Sequence, residues 1–185
     1  MNLTAPDLFK ATFKTSQGTV VIEVHRDWAP LAADRFYSLV KNRFFDNCRI
    51  FRVVPDFIAQ WGIHGQPKIA EMWTGANIPD EPRNETNARG TVAFAKANTP
   101  HSRATQVFIN LKDNNDKANP SSLDNQDFAP FGKVIEGMSV VDKWYQGYGD
   151  HSNLDQGRLA REGNAYLSSA FPMLDYIVRA TILEE

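Results

Sequence analysis

Between Phe51 and Gly62 the chain reads F-R-V-V-P-D-F-I-A-Q-W-G, an apolar and largely β-branched stretch with one guanidinium, Arg52, and one amide, Gln60, set into it. A second stretch, R-G-T-V-A-F-A-K-A-N-T-P-H-S-R-A-T-Q-V-F-I-N, carries Gln106 immediately ahead of another core-type run. A guanidinium stays ionised and presents a planar fork of donors, so it can hold a glutamine and still reach a ligand. The competing structural reading is that Arg52 snorkels from an edge strand and Gln60 faces water. These residues by themselves leave both readings open, although two such strands with polar heads and aromatic neighbours favour a site.

Other chemistry finds less support. His25, His64, His101 and His151 show no H-x-x-x-H or H-E-x-x-H spacing that would bring two imidazoles onto one helical face, so no metal is expected. Cys48 is the sole cysteine and stands in no nucleophile signature, and there is no G-x-S-x-G elbow. The stretch from Asp113 has Ala118 where a calcium loop wants glycine and Lys117 where it wants an oxygen ligand. Neither G-x-x-x-x-G-K-[ST] nor G-x-G-x-x-G occurs, so no phosphate cradle is read.

The elements that must position these groups are mostly short strands. Phe13 to Val24 reads as a hairpin turning at Ser16, Gln17 and Gly18. From Pro30, the spacing of Phe36, Leu39, Val40 and Phe44 predicts an amphipathic helix. Ile50 to Trp61 reads as a strand bent at Pro55, and residues 62–89 as a long loop of a kind that is usually functional. Gly90 to Ala97 and Thr105 to Leu111 are two further strands, and Lys112 to Asp127 is a polar surface loop. A strand over Phe131 to Ile135 precedes a short second helix carrying Val140, Val141, Trp144 and Tyr145 between Gly137 and Gly147. Tyr148 to about Glu162 reads as loop, and Asp175 to Leu183 as the closing strand. Many short strands with two helices predict a mainly β barrel or sandwich.

At 185 residues, 42% hydrophobic and 23% charged, the composition is that of one globular domain over 1–185, with a core over about 10–147 and a loop and closing strand over 148–185. Twenty Lys and Arg against 22 Asp and Glu give a formal charge of −2, which argues against nucleic acid as a partner. No apolar run approaches the roughly 20 residues that cross a bilayer. The opening MNLTAPDLFK lacks the basic and apolar regions of a signal peptide. Compartment stays open between the cytoplasm and, had a leader been trimmed, the periplasm or exterior.

Together, R-I-F-R-V-V-P-D-F-I-A-Q-W-G, the run Arg89 to Ala95, Thr105 to Ile109, and L-D-N-Q-D-F-A-P-F-G-K-V resemble the signature of the cyclophilin family of peptidyl-prolyl cis-trans isomerases. The resemblance implies a closed eight-stranded antiparallel β-barrel capped by two helices. It also implies rotation about X-Pro bonds that assists protein folding, with proline-containing peptides and folding proteins as partners and no cofactor. A monomer is expected. The catalytic group would be Arg52. The substrate would meet Phe57, Ile58, Gln60, Phe94, Ala95, Lys96, Ala97, Gln106, Phe108, Leu123 and Phe128. The chain departs from the pattern at Phe51 and Phe128, where animal members carry histidine, and at Lys96, where asparagine is common. Ser122 replaces a tryptophan that favours cyclosporin, which implies weak binding of that drug. A proline-peptide binding module or chaperone with little turnover is the alternative.

Overall fold

The computed structural model describes residues 3–150 and 154–183. Strand β1 (Leu8–Thr15) alternates with period two: Phe9, Ala11, Phe13 and Thr15 are buried, whereas Leu8, Lys10 and Lys14 are exposed. It turns at Ser16 and Gln17 into β2 (Gly18–His25), with Thr15 opposite Gly18 and Phe9 opposite Val24. The hairpin thus begins several residues before Phe13.

Helix α1 (Pro30–Lys41) has proline in its first turn and buries Ala32, Phe36, Leu39 and Val40. It stops before Phe44, yet Phe44 stays in the core at 3% exposure, because the chain turns at Arg43 with φ 57° and the Phe44 amide donates to the Leu39 carbonyl. The residue before the helix is Ala29, which offers no side-chain cap. Glu81, from the long loop, does so instead: its carboxylate accepts the Leu31 and Ala32 amides at 2.6 and 2.9 Å and an Arg103 guanidinium nitrogen at 3.0 Å. Glu81→Gln is expected to lower stability by about 1–2 kcal/mol, because it keeps one accepting oxygen but loses the charge at the helix terminus and beside buried Arg103. Urea unfolding checks this, and an unshifted midpoint would remove Glu81 from this role.

Next come β3 (Arg52–Val54) and β4 (Ile58–Trp61). The expected bent strand is a full reversal: Pro55 and Asp56, the latter at φ 54°, form a turn closed by the Phe57 amide on the Val54 carbonyl, and Arg52 lies opposite Gln60. Helix α2 (Pro67–Met72) then occupies part of the expected 62–89 loop, with none of its residues buried. Strands β5 (Thr91–Phe94), β6 (Val107–Asn110) and β7 (Pro130–Glu136) follow. Helix α3 (Met138–Val141) is one turn long.

The expected loop over 148–162 is corrected in its second half, since α4 (Gln156–Glu162) begins there and is followed by α5 (Asn164–Ala170). Residues 151–153 of that stretch, His151 among them, lie outside the described residues. Asp155 caps α4 by accepting the Arg158 amide at 2.9 Å, and Arg158 pairs with Glu162 one turn on. Gly163 divides the two helices at φ 63°, with an added Cβ falling 2.1 Å from the Gly65 carbonyl oxygen, so only glycine fits. The described residues therefore contain five helices where two were expected. Strand β8 (Ile177–Ile182) ends the fold.

All eight strands join one antiparallel sheet in the order β3-β4-β6-β5-β7-β2-β1-β8, curled as a half-barrel. Its ends, β3 and β8, share no ladder. The segments just ahead of them meet instead, through the Arg49–Tyr176 bridge and the bonds from the Ile50 amide to the Asp175 carbonyl and from the Ile177 amide to the Cys48 carbonyl. The main core lies between sheet and α1, with Phe13, Phe36, Phe45, Trp61, Phe94 and Phe131 packed together. Cys48 is buried in it, and that burial pushes its thiol up to about 12, so it stays protonated and unreactive. Among the described residues no helix is long and apolar enough to cross a membrane.

Candidate active site

Register builds the site. Arg52 on β3 faces Gln60 on β4, Gln60 faces Phe108 on β6, and Phe108 faces Ala93 on β5. Residues directly opposite in an antiparallel ladder share a face, so these four form a row across four strands. Their alternates, Val53, Ala59, Val92, Val107 and Ile109, point the other way into the main core. The row lies on the outer face of the sheet and there joins a separate apolar cluster of Ile58, Ala93, Phe108 and Leu123, packed by Phe57, Ala95 and Phe128.

Above this cluster is a depression of about 470 Å³, lined by Arg52, Phe57, Ile58, Gln60, Ala95, Lys96, Ala97, Gln106, Phe108, Leu123 and Phe128. Of the residues expected there, Phe94 alone is elsewhere. It is 1% exposed and packs at 5.2 Å against Phe131 in the main core. The reason is alternation: with Ala95 at the depression and Ala93 beneath it, the residue between them must face the opposite side. Ser102, Ala104, Thr105, Gln126 and Gln156 also line the depression and were not expected. Thr105 neighbours Gln106, and its hydroxyl donates to the Gly62 carbonyl at 2.7 Å, but nothing local to Gln156 marks it.

A line of hydrogen bonds crosses the polar end. Arg52 Nε donates to Asp150 at 2.9 Å and Nη1 to Gln60 Oε1 at 3.1 Å, Gln60 Nε2 donates to Gln106 Oε1 at 2.8 Å, and Gln106 Nε2 to Gln156 Oε1 at 3.3 Å. The guanidinium carbon lies 6.0 Å from the centre of the Phe57 ring. Among the described residues Nη2 of Arg52 has no hydrogen-bond partner. At the far end Phe108 and Phe128 meet edge to face at 5.6 Å, and Lys96 sits 5.1 Å from the Phe128 ring centre while donating to the Asp127 carbonyl.

The wall that carries Leu123 and Phe128 is held from beneath by Asp124, 5% exposed. Its carboxylate accepts the Asn87 amide, the Asn87 side chain and the Thr86 hydroxyl, each at 2.8 Å, and Arg83 lies at 3.3 Å. Burial opposes the charge on Asp124, but these bonds and the Arg83 cation outweigh it and hold the carboxyl below its ordinary range. Asn87 also donates to the Phe128 carbonyl, and Asn110 and Asn114 extend the network to the Phe57 carbonyl. Ser122 is buried and contributes no lining. Among the described residues no three His, Cys, Asp or Glu side chains converge as metal ligands.

The family model for cyclophilin type peptidyl-prolyl cis-trans isomerases matches residues 10–161. The chain belongs to this family. It is 41% identical over 146 residues to a peptidyl-prolyl cis-trans isomerase of Acinetobacter baylyi, covering 76% of each chain. It is 37% identical over 135 residues to peptidyl-prolyl cis-trans isomerase B of Escherichia coli, covering 71% of this chain and 81% of that one. Among solved structures, a cyclophilin of Cryptosporidium parvum superposes with a TM-score of 0.68 at 18% identity, covering 96% of this chain and 99% of that one, which shows the shared fold. A second structure of that protein was determined in the presence of the dipeptide Ala-Pro. As a cyclophilin, this chain is an isomerase of peptidyl-prolyl bonds, a reaction that makes and breaks no bond to another atom and so calls for neither nucleophile nor metal.

Proposed function

We propose that the depression on the outer face of the sheet receives the X-Pro segment of a polypeptide, and that Arg52 catalyses rotation about its prolyl bond. The bond is slow to rotate because its partial double-bond character must be lost, at a barrier of about 18–20 kcal/mol. A catalyst needs only to fit the twisted amide better than either planar form. On twisting, the prolyl nitrogen becomes pyramidal and gains a lone pair that a fixed donor can meet. Arg52 supplies that donor, while Phe57, Ile58, Phe108 and Leu123 grip the pyrrolidine ring and Gln60 and Gln106 address the flanking peptide groups.

The observation that carries this reading is the guanidinium itself, held by Gln60 on one side and set beside an apolar aromatic wall, with Nη2 in no hydrogen bond to another described residue. Ala95, Lys96 and Ala97 would run alongside the extended substrate backbone. The partners in this reading are proline-containing segments of folding proteins, met by a monomer whose half-barrel is completed as a closed barrel by the bonds around Arg49 and Tyr176.

Exchange NMR on an Ala-Pro-containing peptide tests the site. Cross-peaks between cis and trans forms are expected at catalytic amounts of protein, together with chemical-shift changes at Arg52, Gln60 and Phe108. Turnover with those residues unshifted would move the reaction to another part of the surface.

A further inference from the structure

The polar line at the site does not end with the strands that carry the family signature. Its two outermost members are Asp150, which precedes α4, and Gln156, the first residue of α4, 98 residues from Arg52 and 50 from Gln106 respectively. We infer that Asp150 and Gln156 are positioning residues of the active site, Asp150 fixing the guanidinium plane of Arg52 and Gln156 fixing the amide of Gln106. This inference rests on the reading of Arg52 given above.

The start of α4 is anchored where such a role requires. A second apolar cluster, apart from the main core, joins Phe51 to Leu154, Leu159, Tyr166, Leu167 and Leu174. Phe51 immediately precedes Arg52 and is 1% exposed, so the helix pair packs onto the residue adjoining the arginine. The Tyr166 hydroxyl accepts the Asp155 amide at 3.2 Å and the Asp155 carboxylate caps α4, which fixes the start of that helix and with it Gln156. Phe51, at the position where animal members carry histidine, is thus the side chain onto which this arm docks.

The chemistry of the line gives the arm a purpose. A guanidinium only donates, so Gln60 must turn its oxygen to Arg52 and its amino group to Gln106, and Gln106 must in turn donate onward. The Gln156 oxygen receives that last proton, so every amide has one orientation. At the other end, one bond from Nη1 to Gln60 leaves a long and flexible side chain free to swing. A second bond from Nε, made by Asp150, sets the plane and leaves Nη2 for the substrate. Asp150 has a side-chain exposure of 62%, so its hold is open to screening by salt.

The test is kcat and KM for a proline peptide in the 185-residue chain. Asp150→Ala is expected to lower kcat about three- to five-fold with KM changed less than about twofold and the melting temperature unmoved, since the pair is exposed. Asp150→Asn retains an accepting oxygen and is expected to recover most of the loss. Raising ionic strength to about 1 M, where the screening length is about 3 Å, should bring wild-type kcat toward the Asp150→Ala value and leave that variant nearly flat. The Arg52 Nε proton should be protected from exchange in the wild type and lose that protection in Asp150→Ala. Gln156→Ala is expected to lower kcat about twofold.

Unchanged or raised kcat in Asp150→Ala, while Arg52→Ala still lowers it, would overturn the positioning role and leave Arg52 in place. Unchanged kcat in Arg52→Ala would instead remove the reading on which the inference rests.

Discussion

Arg52→Ala is expected to lower kcat/KM for an X-Pro peptide by about tenfold to a hundredfold, with the fold retained. A hydrogen bond from a charged donor is worth roughly 1.5–3 kcal/mol net, and each 1.36 kcal/mol is about tenfold in rate. The planar amide, whose nitrogen lone pair is delocalised, accepts that bond poorly, so the loss should fall on kcat and leave KM nearly unchanged. Arg52→Lys should do little better. An ammonium keeps the charge but lacks the planar fork, so it cannot hold Gln60 and Asp150, now at 3.1 and 2.9 Å, and still reach a substrate. Stability should change little, because the side chain is on an end strand and partly exposed, and Gln60 keeps its bond to Gln106. A protease-coupled or exchange NMR assay reads the effect, and unchanged turnover in both variants would refute the role of Arg52.

Much of this site was legible in the sequence because its residues cluster along three short strands. Arg52, Phe57, Ile58 and Gln60 stand within one segment, and Gln106 and Phe108 within another, so polar groups in apolar runs marked the strands before any pairing was known. The resemblance then supplied the pairing. Phe94 was misplaced for a physical reason: all four residues of β5 are buried, so the strand lacks the alternation of wet and dry positions that would show which face meets the site. Helix α2 was illegible because it buries no residue and so carries no apolar period. The α4–α5 arm was read partly as loop because its signals are a cap, one i,i+4 ion pair and a glycine, while its apolar residues answer to Phe51, about a hundred positions away in the chain. Asp150 and Gln156 depend wholly on that docking, and contacts of that range leave no local trace. The turn at Pro55 was visible, but its reversal of the chain required Asp56 at positive φ, a conformation aspartate tolerates without announcing it.

Asp124→Ala is the substitution outside the reacting groups with the largest expected effect, a loss of about 3 kcal/mol or more of stability. The carboxylate is buried and accepts three hydrogen bonds at 2.8 Å from Asn87 and Thr86. Alanine would strand the Asn87 backbone amide and one of its two side-chain N–H groups inside the protein, and each unpaired buried donor costs about 1–3 kcal/mol. The same loss loosens Asn87, which holds the Phe128 carbonyl and accepts from Asn110, so the wall bearing Leu123 and Phe128 should lose its grip on proline before the domain unfolds. The pH dependence gives an independent check. Because the folded carboxyl titrates below its ordinary range, its contribution is fully present above the unfolded value of about 3.9 and is lost as pH falls through the lower folded value. Wild-type stability should therefore drop below about pH 4. Asp124→Asn should start less stable at neutral pH and show a shallower acid slope, the remainder coming from groups such as Asp34, which its bonds from Arg26 and the Ala5 amide also hold low against the opposing effect of burial. Urea unfolding at pH 7 and pH 3 measures both effects. Equal acid slopes in the wild type and Asp124→Asn would show that Asp124 is not the group whose ionisation keeps the proline wall in place.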